Sequence, residues 1–256
     1  MAQPNGVPKI LKILMLHGYT QSGPLFHAKT RSLEKLLIKS LKPVTPILLY
    51  PTAPIQLLPA EIPGFDLSST DAPDSWGWWK RETGGDKYVG LELGLSHIAS
   101  TIRDAGGIDA VIGFSQGAAA AAMVASLLQP GRQTTWSDVE FPYPESWADL
   151  PALHPDGLKF AVCYSGFSTP NTLYKGFYEP KISCPTIHFI GSLDTVVEES
   201  RSLALAEGCA DAQTVFHPGG HFVPVGKEMG GVVVGFIRSC CEEKVEESVE
   251  DMDMPF

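Results

Sequence analysis

The chain has 256 residues, 44% of them hydrophobic, with 19 Lys+Arg against 29 Asp+Glu and a formal net charge of −10. So much apolar material excludes disorder over most of its length, and the lack of any Lys/Arg-rich face or run argues against nucleic acid as a partner. No stretch approaches the ~20 apolar residues of a membrane-spanning helix.

In chain order, the first apolar run, Ile10 to Leu16, is interrupted by Lys12 and passes straight into His17-Gly18. It reads as a buried strand and not as a secretion signal. Further short runs rich in Ile, Val, Leu or Phe predict strands over 46–50, 108–114, 159–165, 185–191 and 213–217. Helical patterns fall between them, over about 22–41, 91–105, 116–128, 197–208 and 226–241. This alternation predicts an α/β fold with a mainly parallel central sheet and helices on both faces.

Two segments break the alternation and are expected to be insertions in a single domain over 1–241. The first, at about 51–90, carries Pro51, Pro54, Pro59, Pro63 and Pro73, then Trp76-Gly77-Trp78-Trp79; it is expected to be an ordered excursion without a helix. The second, at about 130–157, holds Trp136, Trp147 and a Pro142-Tyr143-Pro144 turn. Long loops with their own aromatic residues are usually functional covers or packed insertions. From Glu242 onward stand seven acidic residues and one lysine. Residues 242–256 therefore read as an acidic, disordered tail that accounts for −6 of the charge, and its removal should leave the chemistry of the body nearly unchanged. The five cysteines, Cys163, Cys184, Cys209, Cys240 and Cys241, are scattered and form no CxxC pair. Reduced thiols without metal or disulfide are expected, and with them a cytoplasmic location, with the nucleus left open.

The chemistry centres on Gly113-Phe114-Ser115-Gln116-Gly117, a G-x-S-x-G sequence at the end of an apolar strand and the start of the run Ala118 to Ala122. Such a motif is weak alone, but a strand before it and a helix after it are the context of a nucleophile elbow, a sharp turn that presents a serine. A serine hydroxyl needs a base to take its proton and a third group to orient that base. The required order Ser, Asp, His is met by Asp194, just past the strand 185–191, and by His221, in the Gly-rich turn Pro218-Gly219-Gly220-His221 past the strand 213–217. Asp211 precedes its strand and would sit at the opposite sheet edge, while Glu198 and Glu199 belong to the next helix. His217 still belongs to its strand. An oxyanion needs donors as well. The backbone N–H of Gln116 is one candidate, and the N–H of Tyr19, in the loop after His17-Gly18, is the other.

Taken together, Leu16-His17-Gly18-Tyr19, Gly113-Phe114-Ser115-Gln116-Gly117, Tyr164-Ser165-Gly166-Phe167, Gly191-Ser192-Leu193-Asp194-Thr195-Val196-Val197 and Gly219-Gly220-His221-Phe222-Val223-Pro224 resemble the eukaryotic FSH-type serine hydrolases, the group that includes the ovarian-tumour-candidate homologues. The resemblance runs over about residues 9–241 and takes in the Trp76-Gly77-Trp78-Trp79 cluster. It implies an α/β-hydrolase fold, hydrolysis of carboxylic esters or thioesters, no cofactor, and a catalytic triad of Ser115, Asp194 and His221. Some fungal members of that family are tied to polyketide release.

The expected pocket walls, Tyr19, Phe114, Phe167, Phe222, Trp78 and Trp79, are aromatic and suggest a short-to-medium acyl or aryl group on a small-molecule substrate. Lys80 and Arg81 adjoin the Trp cluster as candidate anchors for an anion. An acyl-protein thioesterase or lysophospholipase shares the same motif order, and a non-catalytic α/β-hydrolase scaffold is the alternative from another class. A homodimer is left open, since no unambiguous exposed apolar stripe is visible.

Overall fold

A computed structural model describes residues 9–62, 74–136 and 140–242. The tail from 243 onward, expected to be disordered, and part of the first insertion lie outside these residues. The chain runs β1 (Ile10–Leu16), α1 (Gly23–Ser40), β2 (Thr45–Leu49), β3 (Ile55–Gln56), β4 (Trp76–Gly77), β5 (Lys80–Arg81), β6 (Tyr88–Val89), α2 (Leu91–Asp104), β7 (Ala110–Phe114), α3 (Gln116–Leu127), β8 (Phe160–Tyr164), β9 (Thr186–Gly191), α4 (Glu199–Glu207), β10 (Ala212–His217) and α5 (Lys227–Cys241). Six strands form one sheet in the order β10-β9-β8-β7-β1-β2. Every pairing in it is parallel, so the sheet expected to be mainly parallel is wholly so over the described residues.

The continuous apolar runs have a simple cause. Side chains alternate between the two faces of a strand, and both faces are covered. In β1, Leu14 and Leu16 enter one core while Leu11, Ile13 and Met15 enter the other. β8 does the same, with Ala161 and Cys163 on one side and Phe160, Val162 and Tyr164 on the other. The first core is closed by α2, α3 and Leu205 of α4, the second by α1 and α5. Helix α1 begins where the Ser22 hydroxyl accepts the Leu25 N–H, with proline in its first turn.

Helix α3 is buried along its whole length, which its alanines permit. Its close seat on the sheet makes two glycines obligatory. A Cβ on Gly117 would lie 2.0 Å from the Leu16 carbonyl oxygen, and one on Gly113 would lie 2.1 Å from the Gly117 carbonyl oxygen. Both are far inside van der Waals contact, so the elbow can approach β1 only with bare backbone at these positions.

The described parts of the first insertion form two small antiparallel ribbons, β3 with β4 and β5 with β6, and a short 3-10 turn at Pro59–Glu61. The second insertion carries three 3-10 turns and packs into the core beside α2 and α3. Its Trp147 is fully buried and donates from Nε1 to the Leu95 carbonyl, while Trp136 meets Phe177 edge-on at 5.0 Å. All five cysteines carry free thiols.

Candidate active site

Strand β7 delivers Ser115 to the carboxyl edge of the sheet, and α3 begins at the next residue. Ser115 has φ 54° and ψ −118°, a conformation that a side-chain-bearing residue adopts only when its surroundings impose it. Its N–H donates to the Tyr164 carbonyl at 2.8 Å, extending the β7–β8 ladder one residue into the turn. This backbone presents Oγ to the cleft although Ser115 itself is only 8% exposed.

The His221 and Asp194 loops meet that hydroxyl from the neighbouring end of the sheet. His221 Nε2 is 3.0 Å from Ser115 Oγ, and His221 Nδ1 is 2.7 Å from Asp194 Oδ2. The other carboxylate oxygen accepts the N–H groups of Val196 and Val197, each at 2.9 Å. Burial opposes the Asp194 charge, but the Val197 N–H, the His221 ring and the Val196 N–H together hold its pKa below the ordinary carboxylate value. An ionised Asp194 accepts a hydrogen bond from His221 Nδ1–H and so holds the proton on that nitrogen, which leaves Nε2 as an acceptor for the serine hydroxyl. Behind the imidazole lies the Phe114 ring, 4.8 Å away.

The loop after β1 forms the facing wall. His17 is fully buried; burial lowers its pKa to about 4, so the ring is neutral. Nδ1–H donates to the Gly18 carbonyl at 2.8 Å and Nε2 accepts the Ala53 N–H at 2.9 Å. His17 therefore braces the loop without reaching the cleft. The N–H groups of Tyr19 and Gln116 donate to no atom of the described residues, and both residues line the same cleft as Ser115.

The Gln116 side chain has a second role that sequence reasoning missed. Its Oε1 accepts the Trp78 N–H at 2.9 Å and its Nε2 donates to the Trp79 carbonyl at 2.8 Å. The Trp78 indole then donates to the His17 carbonyl at 2.9 Å. One glutamine thus ties the elbow, the tryptophan segment and the loop after β1 together.

The cleft has a volume of about 1080 Å³. Of the aromatic residues expected to wall it, Tyr19, Trp79 and Phe167 do so, joined by Tyr88, which stacks on Trp79 at 4.9 Å. Three expectations need correcting. Trp78 is wholly buried in the core. Phe114 follows the alternation of β7 into the core on the α1 and α5 side. Phe222 is half exposed and packs against His217, 5.3 Å between rings, away from the cleft lining. Lys80 and Arg81 do line the cleft, but each is paired, Lys80 with Glu61 at 2.6 Å and Arg81 with Asp86. Sequence reasoning also overlooked Arg201, in the first turn of α4, which lines the cleft as well.

A family model described as serine hydrolase (FSH1) matches residues 7–231. The chain belongs to the FSH1 serine hydrolase family. Among its relatives, a Schizosaccharomyces pombe protein named dihydrofolate reductase is 34% identical over 224 residues, 84% of this chain but 44% of that protein. The chain thus spans less than half the length of that relative. The Danio rerio protein named esterase OVCA2 is 31% identical over 231 residues, 84% of this chain and 90% of that one. Among solved structures, Zea mays acyl-protein thioesterase 2 superposes with a TM-score of 0.60 at 19% identity, over 93% of this chain and 96% of the other. That likeness is one of fold. The FSH1 chain has the α/β-hydrolase architecture, and no helix among the described residues is long and apolar enough to cross a membrane.

Proposed function

We propose that this protein hydrolyses carboxylic esters or thioesters through an acyl-enzyme on Ser115. The observation that carries the reading is the unbroken hydrogen-bonded chain Ser115–His221–Asp194 beside two unused backbone N–H groups. Ser115 Oγ attacks the acyl carbonyl as His221 Nε2 takes its proton, and Asp194 stabilises the imidazolium that results. The N–H groups of Tyr19 and Gln116 receive the negative charge that develops on the carbonyl oxygen. Collapse expels the alcohol or thiol, which leaves with the proton from His221. Water then attacks the acyl-enzyme, with His221 again as base, and frees Ser115.

A cleft of about 1080 Å³ with Tyr19, Trp79, Tyr88 and Phe167 in its walls suits a short-to-medium acyl or aryl group together with its leaving group. One observation favours a lipid-like substrate as a second reading. Leu193 and Val196, on either side of Asp194-Thr195, are 69% and 63% exposed, and Val196 lines the cleft. They would suit the acyl chain of a lysophospholipid or acylated protein. We assign the whole activity to one domain over residues 1–241 and place the protein in the cytoplasm, where its free thiols would stay reduced.

A fluorophosphonate probe tests the chemistry. Wild-type protein should label at Ser115 and folded Ser115→Ala should not; labelling that ignores this substitution, or none in the wild type, refutes the hydrolase. A panel of p-nitrophenyl esters and acyl-CoA thioesters tests the pocket, and a flat response to chain length would count against it.

A further inference from the structure

Among the described residues the cleft holds three cationic side chains, Lys80, Arg81 and Arg201, and they are not equivalent. Lys80 and Arg81 each face a carboxylate, as described above. The Arg201 guanidinium has no carboxylate within ion-pair distance among the described residues. Glu198, which also lines the cleft, is exposed and makes no ion pair with it. An arginine left without a counter-charge in a substrate cleft retains its full capacity for a planar, two-pronged anion.

Arg201 is also held in place. Its Cζ lies 4.5 Å from the centroid of the Phe167 ring, a cation–π contact that fixes the plane of the fork while its N–H groups stay available. The two elements that carry this pair are locked together, because Ser202 Oγ donates to the Gly166 carbonyl at 2.6 Å. Tyr88, which lines the same cleft, is stacked between Trp79 at 4.9 Å and Tyr174 at 4.9 Å; burial raises its pKa, against the hydrogen bond of the Thr169 side chain and the smaller effect of the Arg201 charge. Arg201 and its Phe167 seat thus line the same cleft that Ser115 opens into.

We propose that Arg201, seated on Phe167, is a specificity-determining anchor for a carboxylate carried by the substrate in addition to its scissile carbonyl. The substrate class is then the half-esters or half-thioesters of dicarboxylic acids, or esters whose leaving group bears a carboxylate. This rests on the hydrolase reading and narrows it. The free carboxylate accepts from the Arg201 fork, while the ester or thioester carbonyl meets Ser115.

The test compares matched substrates on wild type and Arg201→Gln: p-nitrophenyl hemiglutarate against its methyl ester, and 4-carboxyphenyl acetate against its methyl ester. The readout is the ratio of kcat/KM for the anionic member over its neutral partner. Loss of a charge-assisted hydrogen bond should lower that ratio about 10- to 100-fold in at least one pair, and the pair affected tells whether the carboxylate belongs to the acyl half or to the leaving group. Arg201→Lys, which keeps the charge but not the fork, should fall between. A ratio unchanged in both pairs for both variants overturns the proposal. A binding arm keeps the outcome separate from the chemistry: monomethyl glutarate is titrated by NMR into Ser115→Ala with and without Arg201→Gln. Weaker binding in the double variant supports the anchor even if no ester is turned over, which would sink the hydrolase reading instead; equal binding overturns the anchor.

Discussion

The clamp made by Gln116 lends itself to a quantitative perturbation. Gln116→Met keeps the side-chain length and nearly its volume, so it leaves little cavity and removes only hydrogen-bonding capacity. Two backbone groups lose their partner at once, the Trp78 N–H and the Trp79 carbonyl, in a segment where both tryptophans are at most 2% exposed. Leaving a buried backbone group unsatisfied costs about 1–3 kcal/mol, so the pair should cost about 2–6 kcal/mol. For a chain of this size each kcal/mol moves the melting temperature by about 2–4 °C, which puts the expected fall at about 4–24 °C. Differential scanning calorimetry gives the shift and urea titration the free energy. Gln116→Glu separates the two halves, since a carboxylate can still accept from the Trp78 N–H but cannot donate to the Trp79 carbonyl. If both variants melt within about 1 °C of wild type, water replaces the clamp and the reasoning fails.

Three further outcomes follow from the same geometry. Asp194→Asn keeps the shape but disfavours the tautomer that lets His221 act as base, so kcat for a p-nitrophenyl ester should fall by about 10⁴; a loss under tenfold would remove Asp194 from the mechanism. His188 is 2% exposed and burial lowers its pKa to about 4; because the unfolded chain binds its proton more readily, stability from this group is complete above about pH 6.5 and is lost as pH falls toward 4. His188→Gln should therefore flatten the stability-versus-pH curve between pH 6.5 and 4 in urea titrations, and an unchanged slope would count against this account. Gly117→Ala places a methyl 2.0 Å from the Leu16 carbonyl oxygen and should destabilise by about 3 kcal/mol or more, measured by urea unfolding, since only backbone movement relieves it.

The parts of this protein that could be read from its residues are those governed by local rules. The four interior strands, β1, β7, β8 and β9, are apolar runs because both sheet faces are buried there, whereas β2 and β10 lie at the edges and are largely exposed; the ends of all six fall within about two residues of the expected positions. The Ser115, Asp194 and His221 positions follow from the order of loops at the carboxyl edge of a parallel sheet, and the structure brings all three together. What stayed hidden depends on direction or on distant partners. Trp78 and Trp79 are neighbours in an irregular run, yet one is spent wholly in the core and the other also faces the cleft. Phe114 could have been placed by the alternation of its strand, since it shares a face with Ala110 and Ile112. Lys80 and Arg81 were visible as charges, but their neutralising partners Glu61 and Asp86 were not. Arg201 lay in an ordinary helical pattern, and only the fold shows that this turn of helix overlooks Ser115.

The sheet order also bears on how the site fails. Ser115 follows an interior strand buried on both faces, whereas His221 follows β10, an edge strand that pairs with β9 alone and has one buried residue, His217. Fraying begins at such edges, at a free-energy cost below that of global unfolding. A partial opening of β10 would carry the base away while the nucleophile stayed on its elbow. Hydrolysis should then disappear in mild denaturant before the core melts, and amide hydrogens of β10 should exchange ahead of those in β7 and β8. Catalytic competence in this fold is thus limited by the anchoring of its outermost strand, a weaker link than the cores on which the rest of the protein stands.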